Sequence, residues 1–434
     1  MKQTTIPEEG IKDARKLGIP RMILLGLQHL FAMFGATVLV PILVASYGLP
    51  ISIQTTLLFA GIGTLFFHLC TKFKVPAFLG SSFAFLGGFE AVAKLDSGKF
   101  ATMTGAEKLP YALGGVVVAG LMYLVLALLV KAIGVKRVMR FLPPVVTGPI
   151  IILIGLILAP SAVTNASGCW WLAALSVVVI IVCNIFGKGM IKIVPILLGV
   201  VVPYIVALCC GRVDFGAVKD AGFVGLQDFV IAKFDISAIL IMAPIAIATM
   251  MEHIGDMSAI SATAGDNFIE DPGLHRSLIG DGIATALAGM FGGPANTTYG
   301  ENTGVLAMTR VYDPKVVRLA ALFAIVLSFS PKFAAVINSV PGAIIGGVSF
   351  ILYGMISAIG VRNVVENKVD FTNTRNLVIA AVIMVTGLGF NGIGGLTITI
   401  GGTSITLTGL ALAAIFGIVL NAVIPGKDFD FEKK

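Results

Sequence analysis

From Arg21 to Ile424 the chain is a succession of apolar runs joined by short polar stretches. A helix needs about 20 apolar residues to cross the hydrocarbon of a bilayer, and fewer where it is broken inside protein. Fourteen such segments are expected, with approximate limits 21–46, 53–71, 75–94, 111–131, 141–159, 169–187, 193–211, 236–260, 275–291, 293–310, 315–331, 341–361, 375–390 and 404–424. Composition bears on this only by exclusion. Charged residues make up 12% of the chain and hydrophobic residues 57%, whereas soluble domains carry about 25% charged residues. Such a chain cannot cover a water-facing surface, so the fold class is an all-α polytopic membrane protein.

Two of the segments are interrupted. The tenth, Gly292 to Arg310, reads GGPANTTYGENTGVLAMTR, too polar and too rich in glycine for an ordinary span. The third, Val75 to Phe85, reads VPAFLGSSFAF. Interrupted segments at corresponding places in two halves of a membrane protein are the best sequence pointer to a transporter's binding site.

The halves correspond in other ways. Gln28-His29-Leu30 with Met33 in segment one matches Glu252-His253-Ile254 with Met257 in segment eight, and Val75-Pro76-Ala77 matches Gly293-Pro294-Ala295. Both matches are separated by roughly half the chain. Seven segments per half is an odd number, so the second half enters the membrane from the opposite side, as a 7+7 inverted repeat. Placing both ends in the cytoplasm puts 23 of the 30 Lys and Arg residues in cytoplasmic segments, as the positive-inside rule requires. Residues 1–20 and 425–434 are then cytoplasmic tails. No cleavable signal peptide is expected, because the first twenty residues are polar.

The net charge of +7 lies in short loops that set orientation, so nucleic acid is not an expected partner. The five cysteines form no CxxC and no Cys/His cluster, so no metal site, disulfide framework or cofactor is expected. With no nucleotide-binding loop, energy must come from an ion gradient or from the substrate's own gradient.

Ionisable side chains inside a bilayer cost about 2.5–3.5 kcal/mol each and are functional by default. The candidates are His29, His68, Glu90, Glu252, His253, Asp256, Asp281 and Glu301. Glu252 and Asp256 are four apart and share a helix face. Glu301 would stand near the start of a half-helix, where a carboxylate simply complements the dipole, yet its mid-membrane position favours a ligand role. Asp256 could bind substrate, carry a coupling proton or pair with a base such as His29. His29 and His253 could equally hold the carboxylates in place. Glu90 and Asp281 are expected at span ends or domain seams, and His68 is expected to be satisfied locally. Asn302 could tie backbone at the break, and Gly304 could admit a neighbouring helix. Phe83 and Tyr299 precede the half-helices, where an aromatic either fills core or packs on a planar ligand.

These residues carry a resemblance. ENTGVLAMTR at Glu301–Arg310 fits the signature of the nucleobase–ascorbate transporter family, and Gln28-His29 fits its first-span motif. LGSSFAF at Leu79–Phe85, EHIGD at Glu252–Asp256, DPGLHRS at Asp271–Ser277 and NTTYGEN at Asn296–Asn302 resemble its uracil-carrying branch. One position departs: where that branch usually has histidine, this chain has Asp256, as xanthine-carrying members do. The resemblance implies a core domain of residues 21–131 and 236–331 and a gate domain of residues 132–211 and 341–424, with a homodimer contact through the gate. It implies short strands before the half-helices of segments three and ten, with the base held between them. Glu252 and Glu301 would bind it through their side chains, Phe83 and Gly300 through backbone amides, with Ser82 and Tyr299 beside it. Asp256, Glu252 and His29 would serve proton coupling. The implied activity is proton-coupled uptake of a nucleobase, uracil first and xanthine or another purine as the alternative, in a bacterial cytoplasmic membrane.

The chemistry suits such a ligand. Uracil presents two N–H donors and two carbonyl acceptors on one flat ring. Carboxylates supply acceptors, and the free N–H groups of half-helix starts supply donors. An intramembrane enzyme is the rival class, but EHIGD lacks the second histidine of HExxH and no nucleophile–base pair is present. A channel or anion exchanger of the same plan would favour a basic or neutral site.

Overall fold

The computed structural model describes residues 10–96, 98–400 and 403–426. Of the two expected tails, residues 1–9 and 427–434 lie outside the described residues.

Each apolar run carries helix. The first half holds α1 (Ile19–Ser46), α2 (Ile53–Cys70), β1 (Leu79–Ser81) with α3 (Leu86–Ala93), α4 (Gly105–Ile133), α5 (Pro144–Ser167), α6 (Trp170–Phe186) and α7 (Pro195–Cys209). The second half holds α8 (Ile245–Ala264), α9 (Leu274–Met290), β2 (Asn296–Thr298) with α10 (Gly300–Thr309), α11 (Pro314–Ser328), α12 (Gly342–Glu366), α13 (Thr374–Gly392) and α14 (Gly409–Val423). A short helix, Ile236–Met242, leads into α8. Among the described residues, seven helices are long and apolar enough to cross a membrane, or eight if α11 and the helix Pro331–Asn338, bent by 89°, count as one.

Local signals set many of the boundaries. Proline stands in the first turn of α1, α5, α7 and α11, where its missing N–H costs nothing. Thr104 and Glu107 form a reciprocal capping box at the start of α4. Gly265, in the left-handed region at φ 68°, ends α8.

One stretch departs from the all-α expectation. β3 (Leu396–Ile400) and β4 (Thr403–Leu407) pair as an antiparallel hairpin between α13 and α14. Segment fourteen therefore begins its helix at Gly409, not at 404. The physical reason is local. Leu396-Thr-Ile-Thr-Ile alternates β-branched residues that fit a pleated surface, and Gly394 and Gly395, at φ 83° and 100°, break the helix before it.

Packing is tightest where small residues face each other. α4 lies along α9 and α12 along α5. A Cβ on Gly120 would stand 2.5 Å from the Gly282 carbonyl, and one on Gly346 would stand 2.4 Å from the Ala166 nitrogen. Without a hydrophobic drive between helices in lipid, such close approach is what holds them. The outer faces are apolar: Ile185, Phe186, Val326 and Val385 are each more than half exposed, a surface suited to acyl chains and not to water.

The N-terminal segment is docked. Ile11 bridges Val311, its N–H donating to the Arg310 carbonyl at 2.7 Å, and Ala14 N–H donates to Asp313 Oδ2 at 2.8 Å. The part of the expected tail from Gly10 to Gly18 is thus a strap across the α10–α11 link.

Candidate functional site

The two interruptions meet. β1 and β2 pair antiparallel, Leu79 with Thr298, Gly80 with Thr297 and Ser81 with Asn296. The ladder continues through Ser82 N–H to the Ala295 carbonyl at 2.8 Å and Tyr299 N–H to the Phe78 carbonyl at 3.0 Å. Non-helical backbone at membrane depth survives only when its polar groups are satisfied inside protein. Side chains of the flanking helices complete that. Thr64 Oγ1 accepts from Leu79 N–H at 2.9 Å, and Thr285 Oγ1 accepts from Asn296 N–H at 3.2 Å. Beyond each strand a helix begins, the Phe83–Phe85 turn into α3 on one side and α10 at Gly300 on the other. Neither start has a side-chain cap, so the first N–H groups of both are available to a ligand.

Acidic groups face this pair of starts. Glu252 on α8 lies within electrostatic reach of Asp256, Asp281 and Glu301. Their exposures separate their roles. Glu252 and Glu301 are partly exposed, Asp256 retains 8% and Asp281 is sealed. Only the first two can meet a ligand with little rearrangement. Asp256 is tied to the strands, with Thr298 Oγ1 donating to its Oδ2 at 2.7 Å.

The expectation for Asp281 is corrected. It lies at no span end but at the middle of α9, fully buried, with Oδ2 2.8 Å from His253 Nδ1. Ser277 Oγ lies 2.9 Å from His253 Nε2, and the rings of Phe67 and Tyr123 meet the imidazole edge-on. Breaking a buried pair of this kind leaves a polar group without a partner in low dielectric. His253 therefore holds a carboxylate, though not one that faces the opening. His29 is also fully buried, but its neighbour is Asn302: the Asn302 amide donates to the His29 carbonyl at 3.0 Å and lies 3.1 Å from Nδ1. His29 thus fixes the first turn of α10 and touches none of the carboxylates directly.

Tyr299 is buried between the strands. Its hydroxyl donates to the Ser81 carbonyl at 2.9 Å, and the ring lies so close to Gly80 that a Cβ there would stand 2.4 Å from it. Ser82 is buried, and Phe83 is 6% exposed. α12 covers this edge. Tyr353 meets the Phe83 ring at 5.9 Å and 77°, Ile359 lies over Gly300, and Asn363 lies over Gly255. A cavity of about 10 Å³ beside Phe83, bounded by α3, α5 and the ends of α13 and α14, has room for a water and no more.

The remaining candidates stand apart. Glu90, at the end of α3, pairs with Lys94 at 2.6 Å, and His68 Nε2 lies 2.8 Å from the Ala77 carbonyl. Thr298, Ser277, the α12 residues and Thr37, whose Oγ1 donates to the Tyr299 hydroxyl at 3.3 Å, were not singled out from sequence. Thr298 and Ser277 lie in polar runs that were visible, but what they touch is set by distant helices.

A protein-family model described as the Permease family matches residues 20–393. The uracil permease of Bacillus caldolyticus is 45% identical over 97% of this chain and 95% of its own. The uracil permease of Bacillus subtilis (strain 168) is 43% identical over 92% and 91%. The putative pyrimidine permease RutG of Escherichia coli (strain K12) is 38% identical over 99% and 95%. Among solved structures, the transmembrane domain of the cyanobacterial bicarbonate transporter BicA has a similar fold, with TM-score 0.62, 14% identity and coverage of 95% of this chain and 99% of that one. SLC26A9 gives TM-score 0.66 at 10% identity, over 95% of this chain and 66% of that one.

Proposed function

The chain belongs to the Permease family, and on that premise we propose that it carries uracil across a bacterial cytoplasmic membrane in symport with protons. The observation that carries the reading is the β1–β2 pair, which sets two uncapped half-helix starts side by side, one of them bearing the partly exposed Glu301 in its first turn, within electrostatic reach of the partly exposed Glu252. The names of the relatives supply the substrate.

In this mechanism Glu252 and Glu301 accept the two ring N–H groups, and backbone N–H groups at Phe83 and Gly300 donate to the carbonyls. Tyr299 backs the strand on which the ring lies, and Ser82 sits at the turn from β1. Asp256, held by Thr298, exchanges the coupling proton with Glu252 through their shared helix face. His29 contributes through Asn302, by fixing the half-helix that carries Glu301. Proton and base each strengthen the other's binding, as linkage requires.

The proposal extends to architecture. Fourteen spans form a 7+7 inverted repeat with both termini cytoplasmic. α1–α4 and α8–α11 make a core that moves against a gate of α5–α7 and α12–α14, and the gate also forms a homodimer contact. The dense packing of α4 on α9 and of α5 on α12 supports that division. So do the contacts of α12 with Phe83, Gly300 and Gly255, which lie on the proposed core–gate seam.

Asp256 favours one second reading, a xanthine or other purine permease. Uptake of labelled uracil into vesicles holding the purified protein, competed by unlabelled xanthine, hypoxanthine and thymine, separates the two. Uracil uptake that a protonophore abolishes and xanthine leaves untouched is the expected result. Displacement by xanthine at lower concentration than by uracil would reverse the assignment.

A further inference from the structure

An apolar opening lies away from the carboxylates. Leu27, Leu30, Phe31 and Phe34 of α1, Phe323, Val326 and Leu327 of α11, Phe333 and Leu197 of α7 enclose a groove of about 320 Å³ with no polar lining. A dry apolar cavity of about 150 Å³ is enough to admit benzene, so this groove has space for a length of hydrocarbon chain. It opens sideways, because Val326 at its rim is 69% exposed. Its walls come from both sides of the proposed seam, α1 and α11 against α7. One turn further along α1 the seam shuts, where a Cβ on Gly35 would stand 2.4 Å from Ile196 Cγ2.

We propose that this groove takes an acyl chain of an anionic phospholipid from the outer leaflet, with Lys332 receiving the headgroup. Lys332 adjoins the groove residue Phe333 at the start of the helix Pro331–Asn338, which turns 89° from α11. Its ammonium rests 4.3 Å above the exposed Phe223 ring, and no acidic side chain among the described residues pairs with it. A cation held there faces outward with unused hydrogen-bonding capacity. Lipid tails are as apolar as the groove walls, so the chain alone gives little preference over annular lipid. Discrimination comes from the charge, and one lysine near an anionic headgroup corresponds to about a fivefold preference.

The full chain is released from vesicles of equal phosphatidylglycerol and phosphatidylcholine, and retained lipid is counted by native mass spectrometry. The expected result is phosphatidylglycerol retained about fivefold over phosphatidylcholine. Lys332→Gln should bring the ratio to that of the vesicle, and Leu197→Trp, which fills the groove, should reduce retention of both lipids. Wild-type retention in the vesicle's own ratio, an undiminished preference in Lys332→Gln, or unchanged retention in a folded Leu197→Trp protein would overturn the site. Lys332→Gln is a surface change, so the comparison stands even if the tryptophan variant fails to fold. None of these readouts passes through transport, so the lipid site and the uracil assignment fail separately.

Discussion

Thr298 donates its hydroxyl to Asp256 Oδ2 across 2.7 Å, joining β2 to the helix that bears Glu252. The residue that departs from the uracil branch is therefore one helical turn from a proposed ligand carboxylate and bonded to the strand that precedes the other. Asp256→Asn keeps an acceptor for Thr298 but cannot exchange a proton. It should leave uracil exchange down its own gradient and abolish accumulation driven by an inward proton gradient. Counterflow and gradient-driven uptake, measured on the same vesicles, separate these two outcomes; loss of both would make Asp256 a structural residue.

Glu252 and Glu301 are proposed to accept ring N–H groups. Leaving one such donor unpaired in a buried site costs about 1–3 kcal/mol, so Glu301→Ala or Glu252→Ala should weaken uracil binding by roughly 10- to 100-fold. Membrane insertion should be unchanged. Binding is read by equilibrium dialysis or scintillation proximity, and near-normal affinity in either variant would remove that residue from the site.

Gly80 is the only residue type that fits beside the Tyr299 ring, since an added Cβ would stand 2.4 Å from two ring carbons. Gly80→Ala must push the ring off β1 and disturb its bond to the Ser81 carbonyl. Loss of uptake with normal expression is expected. Tyr299→Phe, which keeps the ring but loses the hydroxyl's bond to the Ser81 carbonyl and its longer contacts with Thr37 Oγ1 and Ser81 Oγ, should cost about 1–3 kcal/mol of stability, read as a lower melting temperature.

The His253–Asp281 pair is sealed, with both side chains at zero exposure. Removing one partner leaves a buried polar group unpaired and should destabilise by about 1–3 kcal/mol, seen as early thermal aggregation of His253→Leu or Asp281→Leu. The double variant should recover much of that loss, because neither group is then left without its partner. Additive losses in the double variant would mean the two do not interact.

Outside the membrane, the Arg15 guanidinium holds the Asp13 carboxyl well below the usual carboxylate range. Its contribution to docking the strap is present above the unfolded value of about 3.9 and is lost only as pH falls through the depressed folded value. Acidification from pH 8 to pH 5 should therefore leave hydrogen exchange at Ile11 and Ala14 unchanged relative to the intrinsic amide rate at each pH. High salt should speed it, since Lys12–Asp266 and Lys315–Asp13 are exposed or half-exposed pairs that salt screens.

Much of this was legible in the chain. Apolar run length marked the helices, while the prolines that stand at several of their starts, Pro20, Pro144, Pro195 and Pro314, were in the chain but run length alone did not use them. The polar, glycine-bearing breaks at Val75–Phe85 and Gly292–Arg310 marked where helix would stop in mid-membrane. The hairpin at Leu396–Leu407 was missed because its first strand fell in the link after segment thirteen and most of its second in the start of segment fourteen, although its alternating threonines and isoleucines were in view.

What the sequence by itself determined was composition at each depth: which segments lipid would accept, and which few carboxylates would have to lie among them. Burial energetics act on each residue alone, so they can be read from the residue. Which groups meet was decided only by the tertiary fold. Asp281 finds His253, His29 finds Asn302 instead of a carboxylate, Glu252 comes near Glu301 as Asp256 on its helix bonds to Thr298 of β2, and β1 pairs with a strand more than 200 residues away. Periodicity relates residues along one helix, and it carries no information about the helix that will lie opposite.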